Sequence, residues 1–548
     1  MRLVTYVLRL WFTIRALRAK QVFYRIYYNF FALKIISEGG ESVSFPWVWK
    51  GPEVLLPSVS LGNSHAKFLN IESDISKIDI WNDKAFEKLW LYNLHYFDHL
   101  NAIGNTEREV ENLALINRWI SENPLVIGNG WEPYPLSLRI TNLVKWYSRS
   151  DVKEHIVLKS LMHQAEALSK QIEYHILGNH LFANAKALIF VGCFLKGSEG
   201  TRYLLLGLSI IDQEIENQFL QDGGHFELSP MYHCIVLWDL LDLINLALVV
   251  NHPLLTSRIS NWRSVAKNAL YWLKAMIHPD GEVSFFNDSA IGVAAKPLYI
   301  FDYAESLSIS SSQISKSLTL LEYSGYSRIQ FPWYTMLIDH AEIGASYLPG
   351  HGHADTLSFE LSVGLQRVIV NSGTSVYGIS EERLRQRRTA AHNTLEIDCT
   401  SSSDVWSGFR VGRRAKVRLL DASSNGDQAT VSAEHNGYSR IFRKISHHRT
   451  VRGTSDSISI LDEVNGITNS VVSSLHLHPD VKLNIISNFH FMLEIDEFQI
   501  DIRSDVEIEI LESTWHPRFG VSLENKKLVL RNFEKNTITL KIRGIPNS

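Results

Sequence analysis

Cysteine is scarce: Cys193, Cys234 and Cys399 are the three in 548 residues, an odd number with no CxxC pair. That excludes a disulfide framework and a cysteine-built metal site. Strong charge of either sign is also lacking. The formal net charge is -4 at pH 7, so the chain has no overall basic field of the kind nucleic-acid binders carry, although a local basic groove for an acidic glycan stays compatible with it. No uncharged apolar run reaches the roughly 18 residues that a membrane span requires. No unbroken apolar stretch followed by a small-residue cleavage site marks a secretory signal. The chain therefore reads as soluble, with the cytoplasm or a membrane surface as its expected place and the periplasm left open. A P-loop, G-x-S-x-G, HExxH and the dinucleotide fingerprint are absent as well.

Acidic residues are missing before Glu38, whereas Arg2, Arg9, Arg15, Arg18, Lys20, Arg25 and Lys34 are present. Leu3, Tyr6, Val7, Leu10, Ile14 and Leu17 fall on one helical stripe with Arg2, Arg9 and Arg15 mostly off it. Such a basic amphipathic helix either lies on an anionic membrane surface or packs on its own domain.

The length allows two or more domains. After an amino-terminal region over 1–80, residues 81–318 show helical periodicity in segments such as 105–122, 154–175, 180–194, 201–220, 229–250 and 260–277, with short Gly, Asn, Asp or Pro breaks. Successive amphipathic helices joined by short turns stack as antiparallel hairpins, in a solenoid or a closed ring; no fixed-period repeat favours the solenoid. Over 319–548 the period changes to two, as in Leu493, Ile495, Ile500, Ile502, Val506, Ile508, Ile510, Ile538, Leu540 and Ile542. That is the pattern of half-buried antiparallel strands. Helices followed by strands imply two architectures with a cleft where they meet.

The densest chemical signal is His351-Gly352-His353-Ala354-Asp355, just before the alternating Leu357, Phe359, Leu361 and Val363. Residues two apart on an extended chain share a face, so both rings are expected to reach one pocket; a His-rich surface turn is the plain alternative. Ser229-Pro230 is a strong helix start and puts Tyr232 in the first turn, where the positive end of the helix dipole is expected to ease ionisation of a phenol. Gly178-Asn179-His180 opens another helix, an arrangement that suits a carboxylate as well as a simple Asn cap. The Asp222 to Glu227 glycine loop feeds the Ser229 helix and brings His225 or Glu227 toward Tyr232. Asp280-Gly281 and Asn287-Asp288 are similar loops, and Arg387 or Arg388 would add positive potential.

Together these pieces resemble the heparinase II/III-like family of polysaccharide lyases, related to alginate lyases of similar architecture. The resemblance runs through Trp131-Glu132-Pro133-Tyr134, Gly178 to Leu181, Gly224 to Glu227, Ser229 to His233, Ser324-Gly325-Tyr326, His351 to Asp355, Ser372-Gly373-Thr374 and Ala391 to Leu395. It implies an incomplete α/α toroid followed by an antiparallel β-sandwich domain, with an acidic polysaccharide or oligosaccharide bound between them and no nucleic acid. It also implies β-elimination from a uronic-acid chain. Asn179 and His180 would neutralise the uronate carboxylate, Tyr232 would act as general base, acid or both, and His351 would be its partner. Trp131, Tyr134, His225, Glu227 and Arg388 would contact substrate. His353 and His392 match zinc ligands of some members, which implies one structural Zn2+. The third ligand there is an Asp, and the matching residue here is Asn371, a neutral and poorer donor.

Those residue types suit the reaction. Abstracting the proton next to a carboxylate adds charge to an anion, which pre-placed donors stabilise. A base must take the C5 proton and an acid must meet the departing O4. A uronyl C5-epimerase begins with the same proton transfer, and a glycan-binding protein that has lost the chemistry would keep the same scaffold.

Overall fold

The computed structural model describes residues 2–30, 33, 35, 46–53, 61–62, 64–151, 153–315, 317–440 and 443–544. Helices Arg2–Ile14 and Ala19–Phe30 come first, then Lys88–Tyr96, Glu109–Glu122, Pro133–Arg149, His155–Lys170, Gly178–Phe194, Gly197–Gln218, Pro230–Val250, Ile259–Met276 and Pro297–Ser306. From Lys88 to Ser306 the helices form the incomplete α/α toroid. Their inner faces make one core that includes Trp90, Trp119, Leu188, Leu240 and Trp262. Truncating a buried leucine such as Leu240 to alanine costs about 2–5 kcal/mol in cores of this kind.

Among the described residues one helix, Pro230–Val250, is long and apolar enough to cross a membrane. It is a core helix instead. Its Asp242 accepts from Lys145 at 2.6 Å inside the toroid, and Lys186 reaches both Asp239 and Asp242. A buried ion cluster of this sort needs protein on all sides.

The antiparallel β-sandwich domain begins with a five-stranded meander, Ser317–Leu321, Tyr326–Phe331, Tyr334–Asp339, Phe359–Val363 and Gln366–Ile369, paired in chain order. An eight-stranded and a four-stranded sheet follow. Met336 and Leu361 of the meander, Ile460, Leu493 and Leu540 of the large sheet, and Leu475 and Leu528 of the small one share a second core. The alternation over 493–542 falls on strands His490–Ile495, Phe498–Ser504, Ile508–Trp515 and Lys535–Gly544, with Val506 between two of them.

The halves are cemented at a seam where Leu228, Trp272, Met276 and Phe286 pack on Leu321, Tyr326 and Leu337. Arg328, from the second strand of the meander, donates to the carbonyls of Ala275 and Ile277 at 3.1 and 2.7 Å, capping the end of the Ile259–Met276 helix. Two connections therefore arrive at the same place. One is residues 277–296 between the last two helices; the other is the long excursion between strands Tyr334–Asp339 and Phe359–Val363, which carries His351 and His353.

Candidate active site

A cleft of about 1630 Å³ opens at the seam, and Asn179, His180, Glu227, Tyr232, His351 and Tyr377 all line it. Three come from the first turns of helices. Gly178 starts its helix at φ +61°, and a Cβ there would lie 2.7 Å from Glu227 Oε1, so both backbone conformation and space call for glycine. Ser229 caps the Pro230–Val250 helix by accepting from the Tyr232 amide at 3.2 Å. Leu177 and Leu228, at φ 71° and 60°, turn the chain just before each start; backbone held in this region is strained and collects at functional sites.

His180 is oriented by Glu173, whose Oε1 lies 2.9 Å from its Nδ1, and Tyr134 lies against its ring at 4.4 Å. Burial pushes the His180 pKa down, but the Glu173 carboxylate outweighs it and the net shift is upward, favouring the imidazolium. The opposite ring edge is then a donor suited to an anion. Asn179 is buried beside it, its amide 3.4 Å from Glu227 Oε1.

Tyr232 and His351 stack with ring centres 4.1 Å apart and an interplanar angle of 34°. The Tyr232 hydroxyl shares a 3.0 Å hydrogen bond with that of Tyr377. The expected ease of ionisation is not found. Burial first, then Tyr377 and Asp288, hold the phenol well above its ordinary range, because desolvation of a phenolate outweighs the helix end. In this state Tyr232 is a proton donor.

His351 has a defined tautomer. Its Nδ1 lies 2.8 Å from Asp288 Oδ2, and Asp288's own amide donates to the His351 carbonyl at 3.0 Å. A carboxylate at Nδ1 keeps the proton there and leaves Nε2 as an acceptor. Nε2 stands 3.8 Å from Glu227 Oε2, too far for a hydrogen bond. Burial also raises the Glu227 carboxyl, despite His351 nearby.

The two rings of the His351–His353 pair do not enter one pocket side by side. His351 faces the cleft while His353 is buried behind it, and both reach one carboxylate, His353 Nε2 lying 2.8 Å from Asp288 Oδ1. Arg383 completes the node with two hydrogen bonds to Asp288. Burial would raise the Asp288 carboxyl, yet Arg383 above all, with His351 and His353, holds it well below the usual range. Asn287 secures the node from behind, its Oδ1 accepting from the His353 amide and its Nδ2 donating to the Leu228 carbonyl, both at 2.9 Å. Arg387 clamps the same loop through the Gly352 and Gly408 carbonyls at 2.8 and 3.0 Å.

Other expected contacts lie elsewhere. Trp131 is buried against Trp119, and His225 is fully buried between Gln218 and His233; neither lines the cleft. Both are core residues, since an indole and a neutral imidazole pack readily beneath a site. Arg388 is exposed at the C-cap of helix Glu381–Arg387 and away from the cleft lining. The charge at the site belongs instead to Arg383. That residue, Tyr377 and Glu173 carry no local motif; the His351–His353 pair and the Asn287-Asp288 turn are the parts of the node that the sequence shows.

His353 and His392 have the makings of a metal pair. Two imidazoles bound to one tetrahedral zinc through bonds of about 2.0 Å set their ring centres about 5 Å apart, and these stand at 5.2 Å. His353 Nδ1 and His392 Nε2 are buried without partners, while the other nitrogens face Asp288 and Asn371. Asn371 Oδ1 is engaged by Ser358 Oγ at 2.7 Å and lies 3.2 Å from His392 Nδ1, so Asn371 orients a ring rather than adding an anionic ligand. Among the described residues no group of three His, Cys, Asp or Glu could hold a metal ion.

A family model described as Heparinase II/III N-terminus matches residues 93–309, and one described as Heparinase II/III-like, C-terminal matches residues 313–542. A heparin-sulfate lyase of Pedobacter heparinus is 24% identical over 358 residues, 58% of this chain and 53% of that protein. A heparin-sulfate lyase of Bacteroides stercoris is 21% identical over 459 residues, 74% of this chain and 66% of that protein. The chain thus spans about half to two thirds of the length of these curated relatives. A solved heparinase III shares the fold with a TM-score of 0.69 at 18% identity, covering 88% of this chain and 81% of that one.

Proposed function

The chain belongs to the heparinase II/III-like family, and on that premise we propose that it is a polysaccharide lyase cleaving a uronic-acid-containing glycan by β-elimination. The observation that carries the reading is the stacked Tyr232–His351 pair at 4.1 Å in a cleft that also holds Asn179 and His180. His180 and Asn179 receive the uronate carboxylate, whose negative charge grows as the C5 proton leaves. His351 Nε2, made an acceptor by Asp288, takes that proton. Tyr232, kept neutral by burial, gives its own to O4 as the C4–O4 bond breaks and the C4–C5 double bond forms.

The substrate class is an acidic polysaccharide or oligosaccharide, in keeping with the heparin-sulfate lyases to which the chain is similar. His353 and His392 would hold a structural zinc ion that fixes the loop of His351. Metal analysis of the purified protein tests this, and no proton step depends on it. Peripheral membrane contact through the basic amino-terminal helix belongs to the same reading.

The test is incubation with heparan-type and other uronate-rich glycans while following ultraviolet absorbance of an unsaturated uronate. Product from the wild type, formed about 100-fold or more slowly by Tyr232→Phe and His351→Ala, is expected. Solvent deuterium at C5 without chain shortening would mark an epimerase and overturn the lyase reading.

A further inference from the structure

Helices Arg2–Ile14 and Ala19–Phe30 are bound to the body along one side. Arg9 pairs with Asp404 at 2.8 Å, the Tyr28 hydroxyl donates to the Ile172 carbonyl at 2.6 Å, and Arg18 lies 3.6 Å over the Tyr347 ring. The other side is bare. Trp11 is 55% exposed, Phe23 60% and Phe30 81%, with Val7 beside them, while Ile14 and Ile26 turn toward the cleft. A protein surface rarely leaves so many large apolar side chains together without a partner.

The body offsets the cations of these helices only in part, through Asp404 on Arg9 and through Glu214, which faces Arg18 and Lys20. No acidic residue precedes Glu38, and among the described residues Arg9 is the one cation of these two helices in an ion pair. Beside the first helix a second cavity of about 400 Å³ gathers Arg15, Arg413, Arg414 and Lys416. Four cations and no carboxylate line this cavity; Glu342, which pairs with Lys416 at 2.7 Å and faces Arg414, and Asp404, which faces Arg413, stand outside its lining and offset them in part. A phosphate-sized anion would offset the rest.

We propose that these two helices dock on the surface of an anionic lipid bilayer, with the apolar rows in the headgroup boundary and a lipid phosphate in the Arg15–Arg413–Arg414–Lys416 cavity. A second copy of the chain fits the face less well, because a twofold pairing would set unpaired cations against themselves. Basic amphipathic helices of this composition lie in the interface plane. The same helices also wall the cleft through Ile14, Leu17, Val22 and Ile26. Docking therefore sets one wall of the cleft at the level of the headgroups.

The experiment is co-sedimentation of the full chain with phosphatidylcholine vesicles, plain or doped with phosphatidylglycerol. It uses no glycan, so docking and lyase chemistry fail separately. The bound fraction is expected to be at least about tenfold higher on the anionic vesicles and to fall with added salt. Trp11→Glu with Phe23→Glu is expected to abolish binding while leaving thermal melting and turnover of a soluble glycan unchanged. Arg15→Gln with Lys416→Gln, which spares the apolar rows, is expected to reduce the preference for anionic vesicles. Equal binding by wild type and Trp11→Glu/Phe23→Glu would overturn the proposal. So would a wild-type dimer that this variant dissociates without any vesicle binding.

Discussion

On the helical wall of the cleft Asn179, His180 and Tyr232 each stand in the first turn of a helix. On the sheet wall His351 owes its place to Asp288, 63 residues earlier, and to Arg383, 95 residues beyond that carboxylate. The first wall is set by capping and helix direction. The second is a buried ionic node that exists only once the two halves have met. Local placement tolerates loss of one group, whereas a buried node punishes it, since a charge left behind keeps its desolvation cost.

Asp288→Asn breaks the sheet wall hardest. It frees the His351 tautomer and strands Arg383, so turnover is expected to fall by about 10³–10⁴ and stability by about 3–5 kcal/mol. Steady-state kinetics and denaturant melts check both. Tyr232→Phe and Asn179→Ala, on the helical wall, should each lower turnover by about 100-fold or more. Their stability cost should stay near 1 kcal/mol, the worth of a single hydrogen bond. Equal destabilisation by Asp288→Asn and Tyr232→Phe would erase the distinction between the walls.

Both halves should loosen in acid, with one buried carboxyl acting the other way. Burial pushes His95, His99 and His233 down to about 3 on the helical side. The unfolded chain binds those protons near pH 6.5, the native one only near pH 3, so their stabilising contribution is complete above pH 6.5 and shrinks as pH falls through that window, by about 1.4 kcal/mol per pH unit for each His. On the sheet side burial likewise lowers His476 to about 3 and His340 to about 4, while it raises Asp355 to about 6. Asp355 acts with opposite sign, its contribution being present at low pH and lost as pH rises from about 3.9 to 6. Hydrogen exchange across a pH series is expected to show both halves loosening as pH falls below about 6.5, and protection that stays constant from about pH 7 to 4 in either half would contradict buried neutral imidazoles there. The smallest effect belongs to Arg388→Ala, within about 0.5 kcal/mol and kinetically silent.

The order of architectures and most helix positions were legible because amphipathic period and breakers are local. The periodicity predicts a helix over 154–175, but the helix ends at Lys170, since Gln171 to Leu177 form turns whose carbonyls are satisfied by tertiary partners such as Gln21 and Tyr28. Residues of the helical wall announced themselves through Gly178-Asn179 and Ser229-Pro230. The His351–His353 pair was visible, but not that both imidazoles serve one carboxylate, because Asp288 lies in a different connection. Arg383 gave way to its neighbour Arg388 in the reading because both sit in an Arg-rich segment, and only the phase of helix Glu381–Arg387 decides which is buried.

The most direct test is a double-mutant cycle across the cleft: initial rates of unsaturated-uronate formation by wild type, Tyr232→Phe, His351→Ala and the double variant. If helix and sheet walls act on one sugar as a unit, the double variant is expected to be little slower than the slower single one. Losses that multiply, or single variants that keep full activity, would contradict a shared site.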